Sequence, residues 1–219
     1  MNDIFRHISE TIALGLPGFP AQEEMTPPGR FPADRAVLMS QTEPRNGAVM
    51  ALLNPLPGGT WSLIYIKRPD YDGTHGGQMA FPGGKADLED ENILFTAKRE
   101  TIEEIGVHEN EYELIGELTP VYIPPSNFLV HPFLAMAKET LTFTPDVREV
   151  EYVWQIPVSD LLAKESVSTA NFNTAYGTLK NYPCYIFGNH IIWGATAMIT
   201  AEIKALLLKM NFGQDKPNR

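Results

Sequence analysis

Gly83-Gly84, followed further on by Arg99-Glu100-Thr101-Ile102-Glu103-Glu104-Ile105-Gly106-Val107, is the stretch on which the reading of this chain turns. A glycine-rich loop, 73–84, leads into a segment of helical periodicity from about Asp90 to Ile105. Asp90 or Asn92 can cap its start and Gly106 its end. On a wheel with Ile93 at zero, Glu100 falls at about 340°, Glu104 at about 20° and Glu103 at about 280°. Leu94, Phe95, Thr101, Ile102 and Ile105 fall at about 80° to 200°, with Ala97 at about 40°. The spacing predicts a helix with one side for a core and the other for acid.

Glu100 and Glu104 stand at i and i+4, where like charges destabilise a bare helix. Three carboxylates this close repel, or one keeps its proton, unless a cation sits between them. Oxygen donors suit Mg²⁺ or Mn²⁺, and Mg²⁺ commonly takes one or two carboxylates plus water and phosphate oxygens. The pattern points to an open metal site held by Glu100, Glu104 and Glu103. A solvated acidic face is the plainer account of three glutamates alone. The glycine loop before them, Arg99 beside them and Gly106 after them favour a site.

Outward from this stretch, 48–53 and 61–66 read as strands joined by a loop longer than two residues, with Pro55, Pro57, Gly58 and Gly59 between them. Further strands are expected at 112–118, 128–136 and 151–156, and a short helix at 159–164. A hairpin is expected from 184–187 and 190–192 about Gly188-Asn189. A C-terminal helix is expected over 196–209. Residues 1–16 read as an amphipathic helix, 17–35 as an irregular Pro-rich arm and 213–219 as a frayed tail. The division expected is 1–45 helix and arm, 46–212 main domain and 213–219 tail, in the α/β (α+β) class.

The net charge of -10 weighs against a nucleic-acid polymer as partner but not against a small phosphorylated molecule. No stretch is apolar enough to span a bilayer. The N-terminal residues lack the layout of an export signal, which points to the cytoplasm. Cys184 is the sole cysteine and reads as a small buried hydrophobe.

Gly84, Arg99, Glu100, Glu103, Glu104 and Gly106 stand where the signature box of the Nudix hydrolases has its fixed residues, and the sequence resembles that family. The interval from Gly84 to Arg99 is one residue longer than the common box, and the early glutamate is met only by Asp90 or Glu91. The lengthened box resembles the coenzyme A pyrophosphatase-like subgroup. So do Arg68, His75-Gly76-Gly77-Gln78 and Phe81-Pro82-Gly83-Gly84 ahead of it. Pro125-Ser126-Asn127-Phe128, Glu149-Val150 to Pro157 and Ile192 to Ala197 continue the likeness. It implies an α/β/α sandwich with a central mixed sheet.

The resemblance implies Mg²⁺- or Mn²⁺-dependent attack of water on a nucleoside diphosphate derivative. For coenzyme A or an acyl-coenzyme A the products are 3',5'-ADP, with 4'-phosphopantetheine or its acylated form. Glu100, Glu103, Glu104 and Arg99 form the expected catalytic set. Glu103 is either a third ligand or a general base, and Arg99 is read first as orienting the glutamates through salt bridges. Arg68, His75, Gln78, Gly83, Gly84 and Lys85 are expected to line the substrate. Trp193 and the nearby tyrosines are expected to pack rather than stack on a base. Two alternatives stay open. One is a hydrolase of ADP-ribose, NADH or a dinucleoside polyphosphate. The other is a non-catalytic nucleotide-binding regulator. The family's habit also implies a homodimer, with 17–35 as the contact.

Overall fold

The computed structural model describes residues 3–26, 43–69, 77–174 and 177–212. Its centre is the run 48–53, whose residues are nearly all buried. Strand β1 (Arg45–Leu56) carries this run. Ala51 and Leu53 enter one apolar cluster, while Ala48, Met50 and Leu52 enter another. A strand buried on both faces needs no polar alternation, which is why the sequence there is continuously apolar.

β1 pairs antiparallel with β2 (Thr60–Lys67) and parallel with β7 (Phe128–Ala137), in register from Arg45↔Phe128 to Leu53↔Met136. β2 also carries the two-residue strand β3 (Met79–Ala80) and β8 (Tyr152–Pro157). β7 also carries β5 (Tyr112–Glu117) and β6 (Val121–Ile123). The glycine loop supplies β4 (Gly83–Lys85), antiparallel to β1.

On one face lies α3 (Ile93–Ile105), over the cluster of Met50, Leu52, Ile64 and Ile66. On the other lie α1 (Asp3–Ala13), α2 (Phe19–Glu23), α4 (Val158–Leu162) and α5 (Gly194–Lys209), over Leu53, Leu63 and Tyr65. The expected α/β/α sandwich with a mixed sheet is observed. Asn92 caps α3 by accepting the Phe95 amide at 2.9 Å. Gly106 closes it in the left-handed region, φ 71°, and donates to the Ile102 carbonyl.

Three departures from the sequence reading are physical. Residues 17–35 were expected to be irregular throughout, yet 19–23 form a helical turn, and Ala21, Gln22 and Met25 are buried beside α5. Within the described part of the suggested dimer contact these three side chains pack inside the chain while Pro20, Glu23 and Glu24 are exposed; 27–35 lie outside the described residues. The second departure is a three-stranded sheet, β9 (Val167–Thr174), β10 (Gly177–Phe187) and β11 (His190–Trp193), where only the 184–192 hairpin was expected. Apart from Val167, Ala170 and Phe172 the strand Val167–Thr174 is polar, and none of its side chains is fully buried, so its pairing with β10 leaves only a weak hydrophobic signature. The third lies in α3. Its buried side chains are Thr96, Ala97, Thr101, Glu104 and Ile105, while Phe95 is 41% exposed. The core-facing side is turned toward the acid.

Candidate active site

Glu104, on the last turn of α3, is 1% exposed. Its carboxylate accepts the Gly83 amide at 2.7 Å and lies 3.4 Å from the Arg68 guanidinium. Arg68 also donates to the Gly83 carbonyl at 3.0 Å. The helix and the glycine strand are therefore joined through the site itself. Burial pushes the Glu104 carboxyl up to about 7; Glu100 and Glu149 add to the shift, against Arg68 and the Gly83 amide.

Glu100 lies one turn earlier, over Gly84. A Cβ on Gly84 would stand 2.5 Å from the Glu100 Cδ, so any side chain there would displace the carboxylate. A Cβ on Gly83 would meet Val49 Cα at 2.6 Å, which lets β4 lie close on β1. Burial also raises the Glu100 carboxyl, with Arg99 opposing.

Glu149 joins this pair. One carboxylate oxygen from each of Glu100, Glu104 and Glu149 lies within 4.8 Å of the others. The segment after β7 reaches the end of α3 because the Thr144 amide donates to Ile105 O at 2.9 Å and the Asp146 amide to Glu104 O at 3.1 Å. The helix thus uses its free C-terminal carbonyls to hold the loop that brings the third carboxylate. Glu149 falls within the likeness quoted above, but the sequence reading gave it no role; no helical spacing links it to Glu104.

Glu103 is placed differently from its two neighbours. Its side chain is 55% exposed and receives Arg99 at 2.9 Å. Arg99 also donates to Glu100 at 2.8 Å and to both oxygens of Asp90, at 3.0 and 3.1 Å. Asp90, 4% exposed, also receives the Thr96 hydroxyl at 2.7 Å. Hydrogen bonds from Arg99 are the main cause holding the Asp90 carboxyl well below the usual carboxylate range.

A cleft of about 640 Å³ opens beside the glycine pair. Arg68, Gln78, Gly83, Gly84 and Lys85, five of the six residues expected to contact substrate, stand in its walls. His75 lies outside the described residues. The opposite walls come from β6, β7, β10 and the start of α5. Trp193 lines the cleft but stacks on Phe172, ring centroids 4.3 Å apart, and meets Tyr182 edge-on.

A mixed sheet between helices, with a carboxylate cluster set against a glycine strand at the end of a cleft, is the arrangement of a phosphate-handling hydrolase. Residues 43–174 match the NUDIX domain, and the chain belongs to the Nudix family. It is a pyrophosphohydrolase. Human mitochondrial coenzyme A diphosphatase NUDT8 is 32% identical over 169 residues, covering 76% of this chain and 71% of that protein. Nudix hydrolase NudL of Photorhabdus laumondii is 30% identical over 159 residues, 73% of this chain and 83% of that protein. The crystal structure of the Nudix hydrolase RenU of M. smegmatis superposes with a TM-score of 0.50 at 17% identity, covering 80% of this chain and 90% of that one, a likeness of fold. Nudix hydrolases generally use divalent metals and act on small nucleotide substrates. None of the described helices is long and apolar enough to cross a membrane.

Proposed function

We propose that this chain hydrolyses the diphosphate of coenzyme A or its acyl derivatives with Mg²⁺ or Mn²⁺. The nucleotide product is 3',5'-ADP; the other is 4'-phosphopantetheine, which keeps any acyl group. The observation that carries the chemistry is the meeting of Glu100, Glu104 and Glu149 beside the glycine end of the cleft. The choice of coenzyme A is supported by the likeness to human NUDT8, by the lengthened box and by Arg68 and Gln78 at the cleft.

The donor set fits a hard divalent cation. The three oxygens belong to three separate carboxylates, and one of these is buried deeply enough to resist ionisation even beside Arg68. Such a cation offsets phosphate charge and makes water a competent nucleophile near neutral pH. Glu100, Glu104 and Glu149 would hold it. Arg99 fixes Glu100, and Gly83 and Arg68 fix Glu104, so both carboxylates are oriented before anything binds. Glu103, engaged by Arg99, would serve that arginine's position. Lys85 and Arg68 stand at the cleft to offset the diphosphate's charge.

Incubation with coenzyme A, an acyl-coenzyme A, ADP-ribose, NADH and a dinucleoside polyphosphate, in Mg²⁺ or Mn²⁺ and with product separation, tests this. Coenzyme A or its acyl form should show the highest kcat/KM. Glu104→Gln should lower kcat by on the order of 10²-fold. Preferential cleavage of ADP-ribose or NADH would overturn the substrate assignment, and wild-type rates in Glu104→Gln would overturn the carboxylate mechanism.

A further inference from the structure

The cleft is electrostatically lopsided. Among the described residues lining it, the charged ones are Arg68 and Lys85, and both stand at the glycine end. The rest of the described lining is uncharged: apolar at Val121, Ile123, Leu179 and Met198, with the Trp193 indole and the hydroxyl residues Thr174 and Thr196. The two halves of a coenzyme A diphosphate differ in the same way. The nucleotide half carries a 3'-phosphate. The pantetheine half, beyond its own phosphate, is uncharged: a gem-dimethyl carbon, a hydroxyl, two amides and a thiol or thioester. A phosphate among these uncharged walls would lose its water without gaining a counter-ion from the described residues, which is strongly unfavourable. The arm would bury methyl and methylene groups there, which is favourable.

Two further observations agree. One face of the Trp193 indole is stacked on Phe172, with Tyr182 edge-on against the ring, so that face is closed to a nucleobase. Ser126, also in the lining, has a buried hydroxyl with no hydrogen-bond partner among the described residues. The volume, about 640 Å³, is in the range of small-molecule sites.

Resting on the coenzyme A reading above, we infer that the uncharged arm, and not the nucleotide half, occupies this cleft. Leu179 on β10 and Met198 on α5 then act as specificity-determining wall residues. The small sheet β9–β10–β11 is thereby a recognition element for the arm.

Product inhibition separates the two halves. Coenzyme A hydrolysis in Mg²⁺ is measured against added 4'-phosphopantetheine and added 3',5'-ADP, for the unmodified chain and for Leu179→Asp. The substitution places a carboxylate on a partly exposed strand position in the apolar wall. The Ki for 4'-phosphopantetheine and the KM for coenzyme A should rise by about tenfold or more, and the Ki for 3',5'-ADP should stay within about twofold. Leu179→Ser, a milder change, should move the same constants in the same direction and serves if the aspartate variant does not fold. Weakening of 3',5'-ADP alone, of both halves equally, or of neither overturns the inference while leaving the coenzyme A assignment standing. Failure of the unmodified chain to cleave coenzyme A or its acyl forms removes the assignment, and the inference with it.

Discussion

Glu104 shows how a single buried acid can be both a liability and a site. Its carboxyl, pushed up to about 7 from an ordinary 4.5, is neutral in the metal-free fold at low pH and costly to ionise at high pH. The folded state therefore holds this proton more tightly than the unfolded chain. Its favourable contribution is fully present below about pH 4.5, and is lost as pH rises to about 7. Glu104→Gln, which stays neutral, should match the native chain near pH 4.5 in a chelator. By pH 8 it should be the more stable of the two by on the order of 2–3 kcal/mol. Chemical denaturation across pH measures this, and added Mg²⁺ should close the gap for the native chain alone. A constant difference at all pH values would show that ionisation of Glu104 does not cost the fold.

At the scale of the element, α3 is held at both ends by groups outside its own hydrogen-bond ladder. Near its start, Asp90 takes two bonds from Arg99 and one from Thr96. At its end, the Ile105 and Glu104 carbonyls accept amides from the Glu149 loop. Asp90 titrates in the opposite sense to Glu104. Its folded value lies well below the usual range, chiefly through Arg99. The stability it lends is present above about pH 4 and is lost as pH falls further. Asp90→Asn should cost roughly 1 kcal/mol at pH 7 by urea denaturation, with the difference from the native chain shrinking under acid. It should also free Arg99 and lower kcat through Glu100. A variant as stable and as active as the native chain would remove Asp90 from this role.

Across the whole molecule, one buried carboxylate joins distant segments. Glu202, on α5, is 0% exposed. It accepts the Gly18 amide at 3.1 Å, Gln22 Nε2 at 2.9 Å and the Thr119 hydroxyl at 2.7 Å. The N-terminal residues are thereby fastened to the C-terminal helix and to the turn after β5. Glu202→Ala would leave these donors buried and unpaired, and should destabilise the chain by roughly 3 kcal/mol, read as a lowered midpoint in denaturant. Since Glu202 lies outside the cleft lining, KM at low temperature should change little.

Periodicity and local chemistry made much of this legible from the amino acids. The 48–53 strand, the capped glutamate helix and the Gly83-Gly84 pair each follow from neighbours along the chain. The same residues could not disclose which way α3 is turned. Its buried side was decided by the sheet beneath it, which takes in Glu104 and leaves Phe95 partly exposed. Nor could they place Glu149 in the cluster or Glu103 outside it, because that choice depends on a loop docking on helix carbonyls far from it in sequence. Short-range steric and hydrogen-bonding preferences are written residue by residue, so the sequence determined the elements and the kind of chemistry. Which carboxylates converge, and which walls enclose the cleft, was decided only when burial of apolar surface brought remote segments together.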